Sequence, residues 1–427
     1  MGQTWTDSSY RYWRKRIFFG IYTGYIAYYV TRKSFVYVSP ALIQDMGLDK
    51  TDIGFIATLF YVTYGASKFV SGILSDHSNP RYFMAAGLVC TGICNILFGL
   101  GTSVAFLAMA WTLNAFFQGW GWPPCSKILT SWYSQNERGT WWGVWNTAHN
   151  IGGAAAPLLL AWYVDLFGWR HGMMAVSLAA MSATFILLGC VRDRPASMGF
   201  PTVGVWRNDE KEIAHEQENA GMAGREILFK YIFGNGRLWG LAMAYILVYL
   251  VRIAVADWGS LYLIETHGYT LLQANSVISA SEVGGFFGCL VAGWGSDKWL
   301  QGNRTMMNLL FSIGIVCTIL GVWLLPVCHL LYLALFFALG FFVYGPQLLI
   351  GMAAVECSHK NAAGASNGFV SLFGYLGAAL AGYPVAKVMS EYGWPGFFAV
   401  LLTCSSLVIV FFTLSCWRSK NIQTFHS

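Results

Sequence analysis

Charge is the scarce component of this chain. Only 11% of its 427 residues are Asp, Glu, Lys or Arg, where a soluble globular domain carries about 25%. A chain of this length with so little charge cannot cover a water-facing surface, which excludes an ordinary soluble fold. Long polar stretches are equally rare. The one substantial example is 192–237, which contains RNDEKEIAHEQENAGMAGREILFKYIFGNGR. Metal-like cysteine spacing is missing too: the ten cysteines lie mostly in apolar helices, Cys90 and Cys94 share a helix face with no histidine or acid beside them and read as packing residues, and a disulfide framework is not supported. No nucleophile–base pair or metal cluster is present, which argues against an enzyme, and no cofactor is implied. Nor is a cleavable signal peptide expected, because the first apolar run is long enough to continue as a full span.

What the chain has is apolar length. Hydrophobic residues make up 56%, and the mean hydropathy is +0.51. Windows of about 20 apolar residues, each enough to cross the hydrocarbon core as a helix, recur near 17–41, 54–75, 82–101, 104–130, 140–166, 172–191, 238–263, 275–296, 307–326, 329–355, 363–388 and 395–417. The expected fold is an all-α polytopic membrane protein with twelve transmembrane helices in two pseudo-symmetric six-helix bundles. Basic residues precede the first span (Arg11, Arg14, Lys15, Arg16) and then fall in alternate loops: Arg81, Lys127, Arg138, Arg192, Arg194, Lys298, Arg304, Lys360, Arg418 and Lys420. The opposite loops are nearly bare, with Lys50 and Arg170 as exceptions. The positive-inside rule then predicts both termini cytoplasmic, and the expected location is the inner (plasma) membrane. The net charge of +6 reports this topology and is no argument for nucleic-acid binding.

The polar stretch divides the chain into an N-terminal bundle (1–195), a cytoplasmic linker (196–237) and a C-terminal bundle (238–427). The linker reads as surface helix plus connection, with docking of a partner as the alternative. Internal repetition supports the division. Asp76 in GILSDHSNPR and Asp297 in GWGSDKWLQGNR stand 221 residues apart, and GTWWGVWNTAHNIGGAAAP and GASNGFVSLFGYLGAALAG start 225 apart. Repeated halves are the trace of a transporter that rocks two bundles around a midplane site.

Two arginines, Arg32 and Arg252, lie inside apolar runs 220 residues apart. Each costs roughly 2.5–3.5 kcal/mol at bilayer depth on insertion scales, so such residues face a polar interior. Guanidinium forks match phosphate through bidentate charge-assisted bonds. Two of them, from opposite halves, predict a clamp on one phosphoryl group, closed by anion binding and opened by mutual repulsion. Obligatory exchange of one anion for another follows. Lys68 and Tyr64, one turn apart in span 2, are further candidates, and Tyr28 and Tyr29 lie within a turn of Arg32. Lys33 points elsewhere on that helix. His149 in span 5 reads as a proton or anion group, or as a satisfied core histidine. Glu282 and Lys387 are intramembrane in spans 8 and 11, and a structural pairing is the preferred reading for Glu282.

The loop motif around Asp76 and Arg81, repeated at Asp297 and Arg304, resembles that of the major facilitator superfamily. A carboxylate at a helix end can pair with arginine or cap a neighbouring helix, so these four residues are expected to act on conformation, not on substrate. RGTWWGVWNTAHNIGG is similar to the pattern of organophosphate:phosphate antiporters, and YYVTRKSF, TYGASKFVSGILSD, FQGWGWPPC, VRIAVADWG and YGPQLLIGMAA extend the resemblance over nearly the whole chain. The resemblance implies Arg32 and Arg252 as phosphate-binding residues, with Lys68 and His149 in support and Tyr64 nearby. It implies a phosphate ester such as glucose 6-phosphate as substrate, exchanged for inorganic phosphate. Within that family SYRYWRKRI and VGVWRNDEKEIAHEQENAG look more like a branch of hexose-phosphate sensors, which implies the alternative of a receptor signalling through a membrane histidine kinase. One departure concerns Lys387. No acid stands just before it, where the hexose-phosphate transporters pair the two, so it adds positive charge to the expected site and more highly charged ligands become acceptable.

Overall fold

The computed structural model describes residues 6–76, 78–209, 213, 232–326, 328–357 and 363–424. Among the described residues the chain is helical almost throughout, without a strand. Helices run α1 (Asp7–Met46), α2 (Lys50–Asp76), α3 (Pro80–Leu100), α4 (Val104–Gln118), α5 (Trp122–Trp132), α6 (Gln135–Cys190), a 3-10 turn at Pro195–Met198 and the short α7 (Val203–Arg207). After the linker come α8 (Gly236–His267), α9 (Leu271–Lys298), α10 (Arg304–Leu324), α11 (His329–Glu356), α12 (Ala363–Leu380) and α13 (Tyr383–Thr424). The expected surface helix of the linker falls largely outside the described residues.

Local chemistry fixes the helix starts. Asn79, Ser103, Asn235 and Asn303 each accept a hydrogen bond from a backbone N–H of the first turn, and Thr270 and Gln273 form a reciprocal capping box.

Among the described residues, seven stretches are long and apolar enough to cross a membrane, and two of them, Thr140–Cys190 and Ser366–Cys416, are 51 residues long. Each of those two has length for a pair of crossings and contains one residue of non-helical backbone, Gly168 (φ 78°) or Gly393 (φ 64°). Only glycine takes up positive φ at no steric cost, so these residues divide spans 5 from 6 and 11 from 12. The two breaks stand 225 residues apart, so the repeat extends to the hinge between spans. The stretches thus supply nine crossings. α1, α2 and the pair α4–α5, the latter interrupted at Gly119–Gly121 ahead of Pro123 and Pro124, supply the three that charge or brevity hides, and twelve result among the described residues.

Packing divides the chain into two compact units. The first holds Met1–Phe35, Thr63–Ala156 and Leu166–Met222; the second holds Val36–Val62, Pro157–Asp165 and Ala223–Ser427. The first has an aromatic core with Tyr10, Tyr133, Trp132 and Trp145 fully buried. Inside it runs a buried amide network. Ser34 donates to Asn95 Oδ1 (2.6 Å), Asn95 to Thr91 O (2.9 Å), Asn114 to Thr31 O (3.2 Å) and Gln118 Nε2 to Thr31 Oγ1 (2.8 Å). A buried amide stripped of partners costs about 1–3 kcal/mol, so the network fixes α1, α3 and α4 in register.

The second unit is built on backbone proximity. A Cβ at Gly284 or Gly288 of α9 would collide with the carbonyl oxygens of Phe337 and Phe341, and one at Gly340 of α11 would collide with Ser281 O. Only the missing side chains let α9 and α11 approach this far.

The two exceptions to the charge rule have partners of their own. Lys50 pairs with Glu265 (2.6 Å) and lies 4.6 Å from the Trp394 ring centroid. Arg170 donates to Gly99 O (3.0 Å) and Gly101 O (2.6 Å), capping the end of α3.

Candidate functional site

In the first unit, five of the expected residues come together. Arg32, on the middle of α1 and half-buried, donates through Nη2 to Tyr64 Oη (2.8 Å) and through Nε to Gln118 Oε1 (3.4 Å). Its guanidinium carbon lies 4.8 Å from the Tyr29 ring centroid and 4.4 Å from that of Tyr64. On the other side of Tyr29 stands His149, ring to ring at 5.5 Å. Lys68, one turn after Tyr64 on α2, rests its ammonium 5.1 Å from the Trp122 ring centroid.

The amide network explains why this arrangement holds. Gln118 donates its Nε2 proton to Thr31, which turns Oε1 towards Arg32. Two of the groups that aim the guanidinium, Gln118 and Tyr64, are neutral. Asn150 Oδ1, next in sequence to His149, is buried without a hydrogen-bond partner among the described residues.

The second unit organises Arg252 differently. Arg252 is buried on α8, and its Nη2 donates to Tyr344 Oη of α11 (3.0 Å). Tyr344 in turn donates to the carboxylate of Glu282 on α9. Arg252 lies 4.3 Å from the Tyr344 ring centroid, and the three residues line one small cavity with Ser281 and Gly340. The α9–α11 glycine contacts bring Glu282 and Tyr344 within reach of each other. The structural pairing expected for Glu282 therefore takes the form of a hydrogen bond from the tyrosine that holds Arg252. Further along α8, buried Asp257 accepts from Tyr61 Oη (2.7 Å).

One sequence expectation changes. Tyr28 does not face Arg32: it is fully buried and donates to Met84 O (2.8 Å). One residue is about 100° of helix rotation, which separates Tyr28 from Tyr29. Lys387 is exposed at the start of α13 and makes no hydrogen bond or ion pair with the described residues. Lys33, expected on another face of α1 from Arg32, is buried. Sequence reasoning misses Gln118 and Tyr344, although they stand in FQGWGWPPC and YGPQLLIGMAA. Their signal is polarity within apolar helices.

The repeated loop motif also diverges. In the second copy Arg304 pairs with Asp297 (2.6 Å) and Glu356 (3.1 Å) and donates to Ser296, so one guanidinium ties the ends of α9, α10 and α11 together. In the first copy Arg81 donates to the Leu188 carbonyl at the end of α6. Asp76 ends α2, and its side chain lies outside the described residues.

A model of the Major Facilitator Superfamily matches residues 21–382. The chain belongs to that superfamily. It is 53% identical to the membrane sensor protein UhpC of Salmonella typhimurium, over 94% of this chain and 91% of that protein. It is 48% identical to a probable hexose phosphate transport protein of Chlamydia pneumoniae, over 97% and 93%, and 33% identical to the hexose-6-phosphate:phosphate antiporter of Salmonella typhimurium, over 94% and 92%. Among solved structures, that of a mutant of the nucleoside transporter NupG superposes with a TM-score of 0.72 at 13% identity, over 93% of this chain and 99% of that one, a likeness of fold. This superfamily member is thus a multi-pass membrane protein.

Proposed function

We propose that this chain is a secondary transporter that binds a hexose 6-phosphate and exchanges it for inorganic phosphate by alternating access. The observation that carries the reading is the convergence of Arg32, Tyr29, Tyr64, Lys68 and His149 in a chain 48% identical to a probable hexose phosphate transport protein. Arg32 supplies the fork for phosphoryl oxygens, and Lys68 and His149 add charge and a titratable donor beside it. Arg252 contributes a second guanidinium. Its link to Glu282 through Tyr344 offers the arginine an internal acceptor when no anion is bound, so binding exchanges one acceptor for another. The reading includes an inner-membrane location, both termini in the cytoplasm, no enzymatic activity, and conformational roles for Asp76, Arg81, Asp297 and Arg304. Lys387 adds positive charge to the substrate site.

The test is uptake into proteoliposomes made with the purified chain. Labelled glucose 6-phosphate should enter only when inorganic phosphate is inside. The 53% identity to UhpC favours a second reading, in which the same residues detect glucose 6-phosphate and the closed state is passed to a membrane histidine kinase. Saturable binding without any exchange would reject transport in favour of this one.

A further inference from the structure

Three arginines outside the anion-binding set converge on the C-terminal end of α6. Arg16 of α1 donates through Nη2 to Gly189 O (3.2 Å), and Arg192 donates through Nη1 to Val191 O (2.7 Å) and Gly189 O (3.4 Å). Arg81, in the first turn of α3, reaches Leu188 O. The Trp13 ring lies 4.9 Å from the Arg16 guanidinium carbon and 5.0 Å from that of Arg192.

No carboxylate among the described residues pairs with Arg16, Arg81 or Arg192 to offset this charge. A helix C-terminus carries only about half a negative charge, against three full positive ones. Arg81 Nε is buried without a hydrogen-bond partner among the described residues. Burial first, and then the neighbouring charges of Arg81 and Arg16, push the Arg192 guanidinium below its ordinary pKa.

The surface beside the cluster is shaped for an acyl chain. Leu178 (62% exposed), Ser182 and Phe185 (77% exposed) share one face of α6 with Gly189, the last three being four, seven and eleven residues along from Leu178. At Gly189 the direction of a Cβ meets nothing within 4 Å, so a bulky group can approach the backbone there. Tyr12, Phe19 and Tyr82 stand exposed on the neighbouring helices, the aromatic surroundings typical of a bilayer interface.

We propose that this end of the first unit binds an anionic phospholipid, with its phosphate over Gly189 against Arg16 and Arg192 and an acyl chain along the Leu178–Phe185 face. A headgroup with no cation of its own, as in phosphatidylglycerol, is preferred, because the three arginines repel the choline of a zwitterionic lipid. The inference does not depend on which solute the chain carries.

Native mass spectrometry of the full chain released from nanodiscs of equal phosphatidylglycerol and phosphatidylcholine tests it. Wild-type protein should retain phosphatidylglycerol, and the Arg16→Gln/Arg192→Gln double variant should retain about tenfold less, given that each basic residue near an anionic surface contributes substantially. Gly189→Leu, which leaves every arginine in place and fills the open space, should lose the lipid as well and guards against a variant that fails to fold. Equal retention in wild type and Gly189→Leu would overturn the proposal. A thermal-shift titration in detergent separates the sources of phosphate. Read as the difference between wild type and Arg16→Gln/Arg192→Gln, so that phosphate bound at the Arg32 site cancels, a rise in melting temperature with phosphatidylglycerol alone supports a lipid site, and an equal difference with inorganic phosphate makes it a free-anion site and rejects the lipid.

Discussion

Arg32 and Arg252 occupy matching places in the repeat, yet their surroundings differ. Arg32 is held by neutral groups, Gln118 and Tyr64, which take hydrogen bonds without cancelling charge. Arg252 is more fully buried and leads through Tyr344 to the carboxylate of Glu282. Duplication preserved the guanidinium and the tyrosine three residues before it, Tyr29 or Tyr249, while the hydrogen-bonding partners on the other helices diverged, Tyr64 and Gln118 in one unit and Tyr344 with Glu282 behind it in the other. Among the hydrogen bonds described, Arg32 thus meets neutral groups directly, and Arg252 leads through a tyrosine to an acid.

The largest test of this contrast is removal of the acid. Glu282→Gln should destabilise the second unit by about 1.5–3 kcal/mol, the loss of a buried hydrogen bond to a charged acceptor. Gln118→Ala, which removes bonds made by a neutral amide, should cost only about 1 kcal/mol. Thermal unfolding in detergent measures both, and equal losses would remove the distinction. Next in size are the arginines. Arg32→Lys and Arg252→Lys should each weaken phosphate-ester exchange about tenfold to a hundredfold, from the loss of a fork worth about 1.5–3 kcal/mol. The Arg252 variant should also lose stability, because an ammonium cannot span to Tyr344 in the same geometry. Wild-type exchange in both variants would end the phosphate-binding assignment.

A finer comparison uses the tyrosines. Tyr344→Phe leaves Glu282 short of a hydrogen bond and should cost about 2 kcal/mol, whereas Tyr64→Phe leaves Arg32 with Gln118 and should cost about 1 kcal/mol. The smallest effect lies outside both arginine sites. Burial raises the carboxyl pKa of Glu137, but hydrogen bonds and charge from Arg14 and Arg207 outweigh it, and the folded value falls below the ordinary 4.5. A lowered carboxyl pKa stabilises the fold above the unfolded value, and that stability is lost as pH falls through the folded one. Glu137→Gln should flatten the acid limb of the stability curve by about 1 kcal/mol, with exchange at neutral pH unchanged.

The spans and both arginines were legible in the sequence through one signal, charge set against apolar length. The same signal picked out Lys68 and His149. It could not assign rotation about a helix axis, so Tyr28 and Tyr29 were equivalent until packing turned one to Met84 and the other to Arg32. Hydropathy sees depth and not facing, so it says nothing of which surface Lys387, exposed on α13, presents. Partnerships such as Gln118 with Thr31 and Arg32 were hidden because they join residues far apart in the chain, and an amide in an apolar helix does not declare its acceptor.

The glycine contacts between α9 and α11 carry a mechanical consequence. Two helices whose backbones touch have no layer of side chains left to slide past each other, and a shear of even a fraction of a turn drives Cα atoms into carbonyl oxygens. Glu282 and Tyr344 are therefore mounted on a single stiff lever. Of the three linked residues, only Arg252 on α8 can travel relative to the other two, and the hydrogen bond to Tyr344 is the coupling that has to be unhitched first.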